Sequence, residues 1–132
     1  MKRLLVVDDD PDIRLQLQTV LEAYHFTVET AANGQEALER VKATVPDGIF
    51  LDLRMPVMDG LTALDVLRRE YPSIIVIAIT ASTTDVVRHV RARGAHGCLV
   101  KPFDPQALRA ALHDAFGWTP ALAGRSPSHG PA

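Results

Sequence analysis

Short apolar runs alternate with amphipathic stretches along most of the chain. LLVV at residues 4–7 and GIFL at 48–51 contain no polar alternation, which predicts strands buried on both faces. IIVIAI at 74–79 is the clearest such run and ends at Thr80. GCLV at 97–100 is the last and ends at Lys101-Pro102. FTVET at 26–30 alternates instead, as a half-exposed strand at a sheet edge does.

The stretches between these runs have helical spacing and helical punctuation. Asp10-Pro11 has the form of an N-cap followed by proline at the first helical position. Ile13, Leu17, Val20, Leu21 and Tyr24 follow on one face. Asn33-Gly34 opens a second helix through about Lys42. Asp59-Gly60 opens a third, with Leu61, Leu64 and Leu67 inward and Tyr71-Pro72 as its stop. A fourth spans about 84–93 and closes at Gly94. Asp104-Pro105 repeats the cap-then-proline signal ahead of Leu108, Leu112 and Phe116. Five strands alternating with five helices predict an α/β, doubly wound (βα)5 fold with right-handed crossovers. The edge strand and the two buried runs give a five-stranded parallel sheet of order 2-1-3-4-5, a flavodoxin-like arrangement. Ligands of such sheets bind beyond the carboxyl ends of the strands, where the order reverses, here between strands 1 and 3.

Length and charge narrow the function. The 132 residues suit one domain, and 47% hydrophobic residues supply an ample core. Fourteen Lys and Arg against sixteen Asp and Glu argue against nucleic-acid binding by this chain. A single cysteine, Cys98, rules out an internal disulfide and fits a reducing compartment. Lys2-Arg3 is followed by an apolar run too short for a signal peptide, and no stretch approaches membrane-spanning length. A cytoplasmic protein without membrane contact is expected. From Gly117 the composition shifts to Gly, Pro, Ser and Ala. That predicts one domain over 1–117 and a disordered C-terminal tail or truncated linker over 118–132.

The first buried run ends in Asp8-Asp9-Asp10. Like charges at ~5 Å repel by about 3 kcal/mol per pair at an effective dielectric near ~20, so the aspartates need a cation or separate tasks. Asp10 fits the helix cap. Asp8 and Asp9 end strand 1, Asp52 ends strand 3, Thr80 ends strand 4 and Lys101 ends strand 5, so four strands deliver polar groups to one rim. Two or three carboxylates with room for water suit Mg²⁺. Lys101 adds positive charge and the Thr80 hydroxyl a hydrogen bond, a set matched to a phosphoryl group. A carboxylate can act as the nucleophile, and Asp52 is the best placed because the adjacent Asp8 and Asp9 suit metal holding.

At these residues the chain resembles the receiver domains of two-component response regulators. VVDD at 6–9 is similar to the family's acidic pair, FLDLRMPVMDG at 50–60 to its phosphoacceptor segment, AITA at 78–81 to its switch-threonine segment and KPF at 101–103 to its lysine-proline pair. The resemblance covers about residues 2–117. It implies that Asp52 accepts a phosphoryl group from a phosphohistidine on a sensor histidine kinase or a histidine phosphotransfer protein. It implies Mg²⁺ bound by Asp9, Asp52 and the backbone carbonyl of Arg54, with Asp8 acting through water. Thr80 would move toward the phosphoryl group, Lys101 would contact it, and the peptide bond before Pro102 would be cis. The signal would leave through helix 4, strand 5 and helix 5, to a downstream protein or an output domain, with a homodimer through helices 4 and 5 as one form. The family usually has an aromatic residue three positions before the lysine. Here Cys98 stands at that switch position, which predicts a weaker or differently routed response.

Other readings explain less. Asp8, Asp10 and Asp12 mimic the start of an EF-hand loop, but Ile13 stands where glycine belongs and Thr19 where glutamate does. The five histidines lack metal-ligand spacing, so packing or surface roles are expected. Arg54 is beside the site and suited to tuning dephosphorylation. Arg88, Arg91 and Arg93 read as a solvated face. A Mg²⁺-dependent phosphohydrolase with an aspartyl phosphate is the alternative function, with Asp8-Asp9-Asp10 as its Asp-x-Asp, but no residues remain for a substrate cap. A flavodoxin-like electron carrier would need a hydroxyl-rich phosphate loop where this chain has acids.

Overall fold

A computed structural model describes residues 2–54, 60–81 and 84–119. The order is β1 (Arg3–Val7), α1 (Pro11–Ala23), β2 (Thr27–Ala31), α2 (Gly34–Ala43), β3 (Gly48–Asp52), α3 (Gly60–Glu70), β4 (Ile75–Thr80), α4 (Thr84–Ala92), β5 (Gly97–Val100) and α5 (Pro105–Phe116). All neighbouring strands pair in parallel, in the order β2-β1-β3-β4-β5. The expected sheet order and the edge position of β2 are both found.

Strand alternation divides the core in two. Leu5, Val7, Ile49, Leu51, Val76 and Ala78 face one side, where Ala37, Val41, Leu64, Leu67 and Val90 of α2, α3 and α4 cover them. Leu4, Val6, Phe50, Ile77, Ile79 and Leu99 face the other, under Leu17 and Leu21 of α1 and Leu108 and Leu112 of α5. Each fully buried leucine contributes roughly 1.5–3 kcal/mol. A strand covered on both faces has no place for polar alternation, which explains the continuous apolar runs of β1, β3 and β4.

Caps set the helix ends. Asp10 accepts the Asp12 N–H at 2.8 Å ahead of Pro11, so it is the cap the pattern predicted. Asn33 and Asp104 cap α2 and α5 through the N–H groups of Glu36 and Ala107. At the end of α1, His25 is left-handed, with φ 72°, and the Phe26 N–H returns to the Leu21 carbonyl. That closure holds Phe26 out of the ladder, so β2 begins one residue later than its alternation suggested. Gly117, with φ 67°, closes α5.

The packed body extends past Gly117. Trp118, assigned by composition to the tail, is 6% exposed, with its ring centroid 4.7 Å from Tyr24 and 6.5 Å from Phe26. The expected start of the third helix at Asp59 and the expected tail over 120–132 lie outside the described residues. Among the described residues no helix is long and apolar enough to cross a membrane.

Candidate functional site

The strand register builds the site. Val7 pairs with Leu51, so Asp8 follows β1 beside the end of β3, where Asp52 is the last residue. Asp52 pairs with Ile79, and Thr80 pairs with Val100, which puts Lys101 one step beyond. Asp8 is fully buried, Asp52 is 4% exposed and Thr80 is 6% exposed. Asp9 is exposed. One carboxylate oxygen from each of Asp8, Asp9 and Asp52 lies within 4.8 Å of the others.

Lys101 Nζ is 2.9 Å from Asp8 Oδ2 and 3.5 Å from Asp52 Oδ2. Asp8 Oδ2 is a buried oxygen, and the Lys101 ammonium is its charge partner. Asp8 Oδ1 accepts the Asp10 N–H at 3.0 Å, and Asp52 Oδ1 accepts the Arg54 N–H at 3.0 Å. Burial pushes the Asp52 carboxyl up to about 6, the neighbouring Asp8 adds to the rise, and the Arg54 N–H and Lys101 oppose it. Burial alone would lower the Lys101 ammonium, but contact with Asp8 and Asp52 and their charges raise it.

This arrangement suits a small hard cation. Three carboxylates crowd one rim, the single ammonium beside them leaves their charge unbalanced, and one carboxyl resists ionisation. Asp8, Asp9 and Asp52 are the side chains that would hold Mg²⁺, which takes carboxylate and water oxygens. Asp10, committed to its cap, is not in the cluster. That separates the Asp8 and Asp10 carboxylates which the phosphohydrolase alternative would need together.

Thr80 shares its face of β4 with Val76 and Ala78, the side covered by α4. Cys98 pairs with Ala78, is half-buried and packs on that same side. Burial pushes its thiol up, against the charge of Arg91. The Lys101–Pro102 peptide bond is cis. His96 Nδ1 accepts the Val76 N–H at 3.1 Å, a backbone role for one histidine. Residues 55–59 of the resembling phosphoacceptor segment lie outside the described residues.

Two participants escaped the sequence. Arg14 reaches back from α1 and donates from Nη1 to the Asp8 carbonyl at 2.7 Å. Its position one turn after a cap carries no mark distinguishing it from a solvated arginine. Gly60 opens α3 so close to β3 that a Cβ there would overlap the Asp52 carbonyl and Leu53 Cα. Beyond the carboxylates, Ile13, Gln16, Ala81, Lys101, Pro102 and Phe103 line an open groove between α1 and the end of β5.

The family described as "Response regulator receiver domain" matches residues 4–113. The transcriptional regulatory protein PrrA of Mycobacterium leprae is 43% identical over 104 residues, covering 76% of this chain and 44% of that protein. The nitrate/nitrite response regulator protein NarL of Escherichia coli K12 is 39% identical over 116 residues, covering 85% of this chain and 53% of NarL. This chain therefore spans about half the length of these relatives. Among solved structures, the chemotaxis response regulator CheY4 of Vibrio cholerae superposes with a TM-score of 0.82 at 35% identity, covering 87% of this chain and 98% of CheY4. The family match runs from β1 into α5 and takes in every strand that feeds the rim: the chain belongs to the response regulator receiver domain family.

Proposed function

We propose that this chain is a phosphorylation-activated signalling switch with Asp52 as its phosphoacceptor. A carboxylate oxygen of Asp52 attacks the phosphorus of a phosphohistidine on a sensor histidine kinase or histidine phosphotransfer protein. The phosphorus–nitrogen bond breaks, the imidazole keeps the electron pair, and an aspartyl phosphate remains. Lys101 stays beside the new phosphoryl oxygens and balances their charge. Asp8, Asp9, Asp52 and the Arg54 carbonyl are the groups to hold Mg²⁺, which supplies further charge neutralisation when bound. The Thr80 hydroxyl turns toward the phosphoryl group and carries the change to α4 and β5.

The observation that carries this reading is the Lys101 ammonium, 2.9 Å from Asp8 and 3.5 Å from Asp52 at the end of the sheet. It supports a site for a dianionic group between cations. The groove along Ile13, Gln16 and Phe103 opens beside Lys101 and supports approach of a protein donor. Phosphoryl transfer onto Asp52 and its hydrolysis are the only chemistry proposed, without turnover of a separate substrate. The signal passes through α4, β5 and α5 to a downstream protein or an output domain, or to a second copy through α4 and α5. A cytoplasmic location follows from the proposed donor. The first domain would occupy residues 1–117 with the Trp118 contact added.

Incubation with Mg²⁺ and acetyl phosphate, read by intact mass, tests the proposal. One phosphoryl adduct is expected, dependent on Mg²⁺ and missing in Asp52→Asn. An adduct persisting in that variant would overturn the assignment. Turnover of a phosphate ester lost in Asp8→Asn but kept in Asp52→Asn would favour the phosphohydrolase.

A further inference from the structure

β1 passes into α1 through Asp8, Asp9 and Asp10, and this short connection has conflicting tasks. It must aim Asp8 and Asp9 at one point while their charges repel, and it must let Asp10 cap the helix. Backbone bonds hold part of it. The Asp8 N–H reaches the Ala31 carbonyl at 3.1 Å, and the Asp10 N–H reaches Asp8 Oδ1 at 3.0 Å. The Asp8 carbonyl, beyond the paired residues of β1, receives the guanidinium of Arg14 at 2.7 Å. That distance is in the range of a strong charge-assisted hydrogen bond. Arg14 is half-buried, and its own N–H bonds to the Asp10 carbonyl at 3.1 Å, so both ends of the residue hold the same connection.

We infer that Arg14 is a positioning residue for the cation site, acting through the Asp8–Asp9 peptide. A peptide unit is planar, so fixing the Asp8 carbonyl also fixes the Asp9 N–H and the plane from which the Asp9 Cα departs. Asp9 is the exposed member of the cluster, with the least packing to aim it. The guanidinium supplies that restraint from the helix that Asp10 caps. The inference rests on Asp8, Asp9 and Asp52 being a cation site.

The restraint and the charge of Arg14 have opposite signs. A guanidinium beside a cation site repels the cation, so an electrostatic role alone means that removing it tightens Mg²⁺ binding. A positioning role means that removing it weakens binding. Arg14→Met keeps the apolar stem and deletes both donor and charge, and Arg14→Lys keeps a donor and the charge. Mg²⁺ is titrated by calorimetry into the metal-free chain, and amide exchange of Asp9 and Asp10 is followed without Mg²⁺. Outer partners of metal ligands typically change affinity by about 10-fold or more, and a loss of about 10-fold is expected for Arg14→Met. Faster exchange at Asp9 and Asp10 is expected in the same variant, with Arg14→Lys closer to the parent in both measurements. Unchanged or tighter Mg²⁺ binding in Arg14→Met overturns the inference and leaves the proposed function standing. No Mg²⁺ binding by the parent chain overturns the proposed function, and the inference with it. Should Arg14→Met fail to fold, Arg14→Lys decides the matter, because an order-of-magnitude loss with charge and donor retained contradicts positioning through that hydrogen bond.

Discussion

Gly60 approaches the Asp52 backbone so closely that no side chain fits between them; a Cβ would overlap the Asp52 carbonyl oxygen. The Gly60 N–H also bonds to the Leu53 carbonyl at 3.2 Å, which ties the start of α3 to the residue after Asp52. Gly60→Ala must push α3 or the end of β3 aside. Overpacking of this kind destabilises by roughly 1–3 kcal/mol. Urea unfolding should register that loss, and Mg²⁺ affinity should fall because Asp52 moves. An alanine variant with the parent's stability and affinity would show that the contact relaxes freely.

Asp52 makes the metal-free fold sensitive to pH. Its carboxyl is raised from 3.8 to about 6 in the fold, so the folded chain prefers it protonated. The favourable contribution is complete below the unfolded value and is lost as pH rises through about 4 to 6. About two pH units correspond to roughly 2–3 kcal/mol. Asp52→Asn removes the burden of ionisation. Without Mg²⁺ the variant should be the more stable protein at pH 7.5, and the gap should narrow toward pH 4. Saturating Mg²⁺ should shrink the gap at pH 7.5 by stabilising the parent. Parallel unfolding curves across this range would contradict the role of burial at Asp52.

Cys98 and Thr80 are diagonal neighbours on one face of β4 and β5, and a thiol spans less of that distance than an aromatic ring. Phosphorylation should therefore alter amide exchange over residues 80–100 only modestly. Cys98→Tyr should enlarge the response by restoring bulk beside Thr80. A large response in the parent, unchanged in the tyrosine variant, would remove Cys98 from the switch.

Trp118 closes the aromatic group of Tyr24, Phe26 and Phe116 at the end of the sheet opposite the carboxylates. Trp118→Ala should destabilise by about 3 kcal/mol or somewhat more. Its buried Nε1 has no hydrogen-bond partner, so Trp118→Phe forfeits no such bond and should lose far less. Equal losses from alanine and phenylalanine would indicate that the indole nitrogen, not the packing, holds the segment.

Much of this arrangement is legible in the sequence because the fold signals itself locally. Apolar runs mark strands buried on two faces, and Asp10, Asn33 and Asp104 announce helices through contacts within three residues. The rim is legible for the same reason: Asp52 and Thr80 end strands, and Asp8 and Lys101 follow them directly. What escaped depends on contacts between distant segments or on unmarked side chains. Trp118 looks like tail until Tyr24 and Phe26 are brought to it. Gly60 looks like a helix start until β3 lies against it. Arg14 looks solvated because nothing in its helical position reveals a carbonyl within reach.

Trp118 is the chain's single tryptophan, and it packs on Tyr24 and Phe26 at the end of the sheet away from the carboxylates; a five-residue strand such as β1 spans about 16 Å. Its emission is therefore an optical gauge of the body of the domain, with the chemistry out of its range. Mg²⁺ entering the acidic rim should leave the fluorescence spectrum unchanged, while unfolding should shift it strongly as the indole meets water. A change in emission upon phosphorylation would then mean that the rearrangement has crossed the whole sheet.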